Sequence, residues 1–324
     1  MTLAPVLPVS RGRREFFAAR PSSPVDLRTS IGDLVLRNPV MPASGCFGPE
    51  LGRMIPTSEI GATVTKTVFE GERGGNPSHR LTETETGMVN SVGIPSRGPH
   101  GYLEHLHPQY EGLDAPTIIS VGGHRVDEYA PLVEQLAGAG AAYELNVSCP
   151  NLDRDGEDIG ADPEAVREVL RRVGRVTDKP LIVKLPPMVA SIAACAAAAE
   201  DAGAAGIVVS NSMPVLALER PSRRPALGNV IGGLSGPAIR PIVTRLVWQA
   251  AAAVDIPVIA CGGIEDADDV LDYLSVGAAA VQVGTASFAR PYVMVEIVRE
   301  LHRRCEIAEV PDLAGLLLAT AEGR

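Results

Sequence analysis

Eight short apolar runs recur along this chain, at residues 39–43, 62–66, 117–121, 143–147, 181–184, 206–210, 258–261 and 279–283, each stopped by Gly, Ser, Asn or Lys. Between most of them lie stretches with the apolar spacing of amphipathic helices, for example 126–139, 162–176, 192–202, 237–253 and 266–275. Asp162-Pro163 and Asp266 read as helix starts, and Gly203 and Gly277 as helix stops. Strands alternating with helices mean a parallel sheet, and eight such units close a (β/α)8 barrel. An open doubly wound sheet is the structural alternative, but no G-x-G-x-x-G follows the first run to favour it.

Residues 25–38 alternate apolar and polar about Ile31-Gly32-Asp33, the mark of a β-hairpin that would close one end of the barrel. Two intervals, 69–115 and 211–236, are too long for plain connections; long insertions after barrel strands build the mouth of an active site. The expected organisation is therefore one barrel domain over 25–324, preceded by a mobile arm at 1–24 that lacks the apolar core of an export signal.

A formal charge of −10 argues against nucleic acid or an acidic membrane as partner and leaves a small molecule. No apolar run approaches the roughly 20 residues of a membrane span. The five cysteines, Cys46, Cys149, Cys195, Cys261 and Cys305, stand singly with no C-x-x-C pair, so no zinc or iron–sulfur site is written here and no metal is expected. Their odd number suits reduced thiols and a cytoplasmic location.

The fourth run ends at Asn146-Val147-Ser148-Cys149-Pro150-Asn151, where Pro150 forbids continuation of the strand. A thiol flanked by two amides offers a proton acceptor beside groups that bind both N–H and C=O edges of a polar ring. The competing reading of Cys149 is a small buried hydrophobe. Of 29 basic residues only Lys66, Lys179 and Lys184 are lysine, and Lys66 and Lys184 close the second and fifth runs, where both point into the mouth. A cation there stabilises an anion formed during reaction, such as a reduced flavin; a Schiff-base lysine and a plain solvated lysine are the alternatives. Cys261-Gly262-Gly263-Ile264 and Val283-Gly284-Thr285-Ala286 end the last two runs with bare backbone N–H groups suited to a phosphate, and Gly232-Gly233-Leu234-Ser235-Gly236 adds a third approach. Asn90, Asn146, Asn151 and Asn211 fall at run ends or on the insertions, a set suited to a ring of alternating donors and acceptors.

With these residues in view the chain resembles the class 1 dihydroorotate dehydrogenases, and most of all their NAD-linked catalytic subunits. ELNVSCPN, VTKT, GMVNSVGIP, IVKL, GGLSGPAIRP, ACGGI and QVGTA all occur in the family's order, from about Val25 onward. The resemblance implies an FMN barrel enzyme of pyrimidine synthesis that oxidises dihydroorotate to orotate, with Cys149 as the base that takes the C5 proton while hydride leaves C6. It implies substrate contacts from Lys66, Asn90, Ser91, Val92, Gly93, Ile94, Asn146, Asn151, Asn211 and Ser212. It implies FMN contacts from Ala43, Ser44, Gly45, Lys66, Asn146, Lys184, Ser210, Ser235, Gly236, Gly262, Gly263, Gly284 and Thr285. Three turns depart from the family's usual pattern: Leu185-Pro186-Pro187-Met188, Ser212-Met213-Pro214 and Ile94-Pro95-Ser96-Arg97. A pyrimidine-reducing relative, or an FMN oxidoreductase for another ring, is the alternative activity. The resemblance further implies a homodimer, and a partner protein carrying FAD and an iron–sulfur cluster through which electrons reach NAD.

Overall fold

The computed structural model describes residues 25–148 and 158–321. The segment 1–24, expected to be an arm, lies outside them, as do Cys149 and Asn151. All eight apolar runs are strands of one parallel sheet: β1 (Val40–Pro42), β2 (Thr63–Val64), β3 (Thr117–Gly122), β4 (Ala142–Asn146), β5 (Leu181–Leu185), β6 (Gly206–Val209), β7 (Val258–Cys261) and β8 (Ala280–Val283). The order is β1-β8-β7-β6-β5-β4-β3-β2, so first and last in the row are neighbours in the sequence and the sheet curls into a barrel. The seam is drawn together by Gly61 N donating to Val40 O at 2.8 Å. A Cβ on Gly61 would lie 2.3 Å from Asn38 O, so only glycine permits this approach.

Strand β2 is shorter than its apolar run because Thr65 stops the ladder. Its hydroxyl, in place of a main-chain carbonyl, accepts from Ser120 N at 3.0 Å, and the chain turns with Lys66 at the strand end.

The helices that cover the barrel are α1 (Tyr129–Gln135), α2 (Pro163–Val173), α3 (Ile192–Asp201), α4 (Arg240–Ala253), α5 (Ala267–Ser275), α6 (Val293–Ile307) and α7 (Leu313–Ala321). Their starts have the anticipated chemistry: the Asp162 carboxylate accepts from Glu164 N at 3.0 Å, and Asp266 accepts from Asp269 N at 3.0 Å. Gly203 and Gly277 follow α3 and α5 with φ of +90° and +105°. The helical segment within the 69–115 interval was not anticipated. Three short turns, Gly98–Gly101, Tyr102–Leu106 and His107–Glu111, close the 69–115 interval and stand where the helix after β2 belongs. Pro99 and Pro108, which lack N–H donors, obscure it in the sequence.

Parts of the two long intervals combine into one sheet. Strands Leu81–Thr84 and Gly87–Asn90 from the first, and Met213–Leu216 and Ile231–Ser235 from the second, form a four-stranded antiparallel sheet in which Leu234 pairs with Val89.

The hairpin Thr29–Ile31/Leu34–Leu36 turns at Gly32-Asp33 and seals the N-terminal end of the barrel. Ile31 and Leu36, fully buried, pack with Met41, Val64, Ile118, Ala142, Ile182, Val208, Ile259 and Ala280 inside the sheet. Side chains two residues apart on a strand share a face. Stepping two residues from this apolar floor toward the other end therefore gives Ala43, Lys66, Ser120, Glu144, Lys184, Ser210, Cys261 and Gln282. The barrel interior changes from hydrocarbon to polar within one layer, and the change faces the C-terminal mouth. The larger apolar core lies outside the sheet, where the other face of each strand meets the helices.

Candidate active site

A cavity of about 650 Å³ opens at the C-terminal ends of the strands. It is lined by every described residue of the expected site: Ala43, Ser44 and Gly45 after β1, Lys66 after β2, Asn90 to Ile94 on the first insertion, Asn146 on β4 and Lys184 on β5. Ser210, Asn211 and Ser212 line it after β6, Ser235 and Gly236 at the end of the second insertion, Gly262 and Gly263 after β7, and Gly284 and Thr285 after β8. Of the departing turns, Ile94, Pro187, Ser212 and Pro214 also face the cavity, whereas Met188 is exposed.

The asparagines converge because different strands end at one level. Asn211 Nδ2 donates to Asn146 Oδ1 at 3.3 Å, and Asn146 Nδ2 donates to Thr67 Oγ1 at 3.4 Å. The main chain at Asn146 is held from behind, where the buried Tyr129 hydroxyl donates to its carbonyl at 2.9 Å. Asn90 Nδ2 reaches Gly233 O at 3.4 Å, tying the two insertions together. At the end of this turn Gly93 and Ile94 have φ of +76° and +45°. A β-branched residue in the left-handed region is strained, and Asn76 holds the turn by donating through Nδ2 to Ser91 Oγ at 2.8 Å.

On the opposite wall the glycine turns meet. Gly263 has φ +73°, and a Cβ there would come within 2.8 Å of Arg240 Cβ and 3.0 Å of Gly236 O. The turn is braced beneath by Asp269, which pairs with Arg240 and accepts from Glu265 N at 2.8 Å. Thr285 Oγ1 donates to Ser235 Oγ at 2.8 Å, joining the ends of β8 and the second insertion. The result is a braced wall of glycine turns, and bare backbone N–H groups at such turns are the chemistry that binds a phosphate.

The two lysines differ. Lys66 is half-buried, and burial holds its ammonium below the ordinary lysine range. Lys184 is buried; burial opposes its charge, but Cys261, Glu144 and Cys46 together hold it above the ordinary range. Its Nζ donates to Gln282 Oε1 at 3.0 Å and lies 3.7 Å from Cys261 Sγ. Gln282 Nε2 in turn donates to Glu144 Oε2 at 2.6 Å.

Glu144, Gln282, Cys46, Thr67 and Asp158 were not among the residues expected from sequence. The period of two supplied a signal for the first two, since Glu144 precedes Asn146 and Gln282 precedes Gly284 by two positions. Asp158 borders the undescribed segment and lines the cavity, and burial pushes its carboxyl up.

An eight-stranded parallel barrel with a cavity, glycine turns, lysines and amides at its C-terminal mouth has the architecture of the barrel enzymes, which keep their chemistry at that face. The model of the dihydroorotate dehydrogenase family matches residues 26–305, and the chain belongs to that family. Among its relatives, the dihydroorotate dehydrogenase B (NAD(+)) catalytic subunit of Staphylococcus carnosus is 42% identical over 279 residues, covering 85% of this chain and 91% of its own. The proteins of the same description from Pelobacter propionicus and Malacoplasma penetrans are 41% and 38% identical, covering 90% and 89% of this chain and 98% and 97% of their own. Among the described residues no helix is long and apolar enough to cross a membrane, and no group of His, Cys, Asp and Glu is arranged to hold a metal ion.

Proposed function

We propose that this chain binds one FMN in the cavity at the strand ends and oxidises (S)-dihydroorotate to orotate in pyrimidine biosynthesis. The observation that carries the reading is the convergence, in one cavity, of the Gly263 cradle, Lys66 and Lys184, and the Asn90, Asn146 and Asn211 amides. The cradle has the bare backbone a phosphate needs, and the cavity volume suits a cofactor with a small substrate beside it. Gly262, Gly263, Gly284 and Thr285 would hold the phosphate, and Ser235 and Gly236 the chain attached to it. Ala43, Ser44, Gly45, Lys66, Asn146, Lys184 and Ser210 would surround the ring.

When bound, FMN supplies the acceptor for the hydride that leaves C6 of the substrate. The Cys149 thiolate takes the C5 proton, which is acidified by the neighbouring C4 carbonyl, and becomes a thiol. The Asn90, Asn146, Asn151 and Asn211 amides hold the ring by its N–H and C=O edges, with Ser212 beside them, and Lys66 provides positive charge where negative charge grows. The backbone from Ser91 to Ile94, held in its strained turn, offers N–H groups to the substrate carboxylate.

The chain acts as the catalytic subunit of a cytoplasmic enzyme, assembled as a homodimer with a second protein that carries FAD and an iron–sulfur cluster. The names of its relatives, which give NAD and a catalytic subunit, support the part of this reading that concerns a separate electron-transfer partner. The test is direct: the purified chain has the yellow absorption of FMN, and anaerobic dihydroorotate bleaches it. A colourless protein, or a yellow one that dihydroorotate leaves unchanged, overturns the assignment.

A further inference from the structure

One fully buried carboxylate has no part in that chemistry. Glu144 lies inside the barrel, one layer above the apolar floor and one below Asn146, and its Oε1 has no hydrogen-bond partner among the described residues. Filling the interior does not require it, since the layer beneath is filled by hydrocarbon. A carboxylate in such a place is costly unless something answers its charge.

The answering charge is Lys184, reached through Gln282. The ammonium only donates and the carboxylate only accepts, so the amide between them has one workable orientation, with Oε1 toward Lys184 and Nε2 toward Glu144. The flipped amide would set N–H groups against the ammonium and oxygen against the carboxylate. Gln282 is 1% exposed and Lys184 3%, so both contacts are made inside the barrel.

The other titratable groups around Lys184 come from different strands. Cys261 on β7 is within 3.7 Å of its Nζ, Cys46 follows β1, and Lys66 at the end of β2 acts in turn on Cys46. Burial pushes the Cys46 thiol up to about 11, and it pushes Cys261 up as well. Near neutral pH both sulfurs are therefore thiols, and the Glu144 carboxyl is the acidic group that hydrogen bonds join to Lys184.

We propose that Glu144 and Gln282 are positioning residues: through the Gln282 amide, the Glu144 carboxylate holds Lys184 as an ammonium and aims it at the cavity. The consequence for the reaction rests on FMN being the cofactor, because the charge so held is the one beside its ring; the arrangement of the three side chains does not. The relay makes the positive charge of the site a property of the barrel interior, independent of the open mouth.

The chain has three lysines, so protein labelled with 13C at lysine Cε gives three signals, and the one missing in Lys184→Met identifies Lys184. Glu144→Gln removes the charge with little change of shape. In this variant the titration midpoint of Lys184 falls by about one pH unit or more, as for a buried lysine without a counter-charge, while Lys66 and Lys179 keep theirs. Gln282→Met, which breaks the relay and leaves the carboxylate, lowers the Lys184 midpoint in the same direction. In FMN-loaded Glu144→Gln, the flavin potential plotted against pH gains a break at the lowered midpoint, absent from wild type. A Lys184 midpoint unchanged in either folded variant overturns the relay and leaves the cofactor assignment standing. Absence of FMN from the purified chain overturns the cofactor assignment and leaves the lysine titration as the test of the relay.

Discussion

Burial holds the thiols of Cys46, Cys195, Cys261 and Cys305 above the ordinary cysteine range, which leaves them protonated near neutral pH. If Cys149 is the base, its reactivity stands apart from these four. Iodoacetamide at pH 8 is expected to modify Cys149 first, with orotate protecting it, as peptide mass spectrometry would read. Labelling of Cys46 or Cys261 ahead of Cys149 would contradict the role. Cys149→Ala should keep FMN and lose about two to four orders of magnitude in the rate of flavin reduction by dihydroorotate, the range for a removed acid–base group. Gly263→Ala tests the cradle. Its methyl has no room beside Arg240 and Gly236, so the variant should be purified with less FMN than wild type, measured by absorbance, and full occupancy would move the phosphate elsewhere.

Two elements set the site's floor and roof. The hairpin closes the floor: Ile31 Cγ2 occupies the space beside Gly206, where a Cβ would come within 2.9 Å. Ile31→Ala should therefore lower stability by about 2–5 kcal/mol, the range for truncating a buried isoleucine, with catalysis per folded molecule retained. A denaturation midpoint equal to wild type would show that the hairpin is not part of the packed interior. The roof is the four-stranded sheet built from both insertions. Gly87 approaches Ser235 so closely that a Cβ would lie 2.1 Å from Ser235 O. Gly87→Val should push these strands apart, displace Ser235 from Thr285, and weaken FMN binding more than it lowers the melting temperature. The reverse ranking would make this sheet a folding element.

At the scale of the molecule the question is where electrons go. The sequence has no clustered cysteines for iron–sulfur ligation and no dinucleotide fingerprint, and the proposed route to NAD runs through a second protein. The isolated protein should reduce artificial dyes with dihydroorotate while reducing neither NAD nor fumarate at a comparable rate, and should gain NAD activity with the partner protein. Steady NAD reduction by the pure chain, or fumarate turnover matching the dyes, would show the assignment wrong.

The strand–helix period by itself determined the barrel, because eight apolar runs alternating with amphipathic stretches leave few other ways to bury so much hydrocarbon. Turn chemistry determined the helix starts at Asp162 and Asp266, the hairpin at Gly32-Asp33 and the glycine turns, since those conformations require those residue types. The strand-end residues were legible for the same reason: parallel strands of a barrel end at one face, so Lys66, Asn146, Lys184 and Gly263 had to share a mouth. Only the tertiary structure decided what crosses the chain. The insertions at 69–115 and 211–236 read separately as two pieces of an active-site mouth, and they form one sheet because their edges meet in space. Glu144 and Gln282 lie 138 residues apart, and neither carries a local signal of its partner. Closure of the barrel brings β4 and β8 to face each other across its interior, and a buried carboxylate, an amide and a lysine become one line of hydrogen bonds.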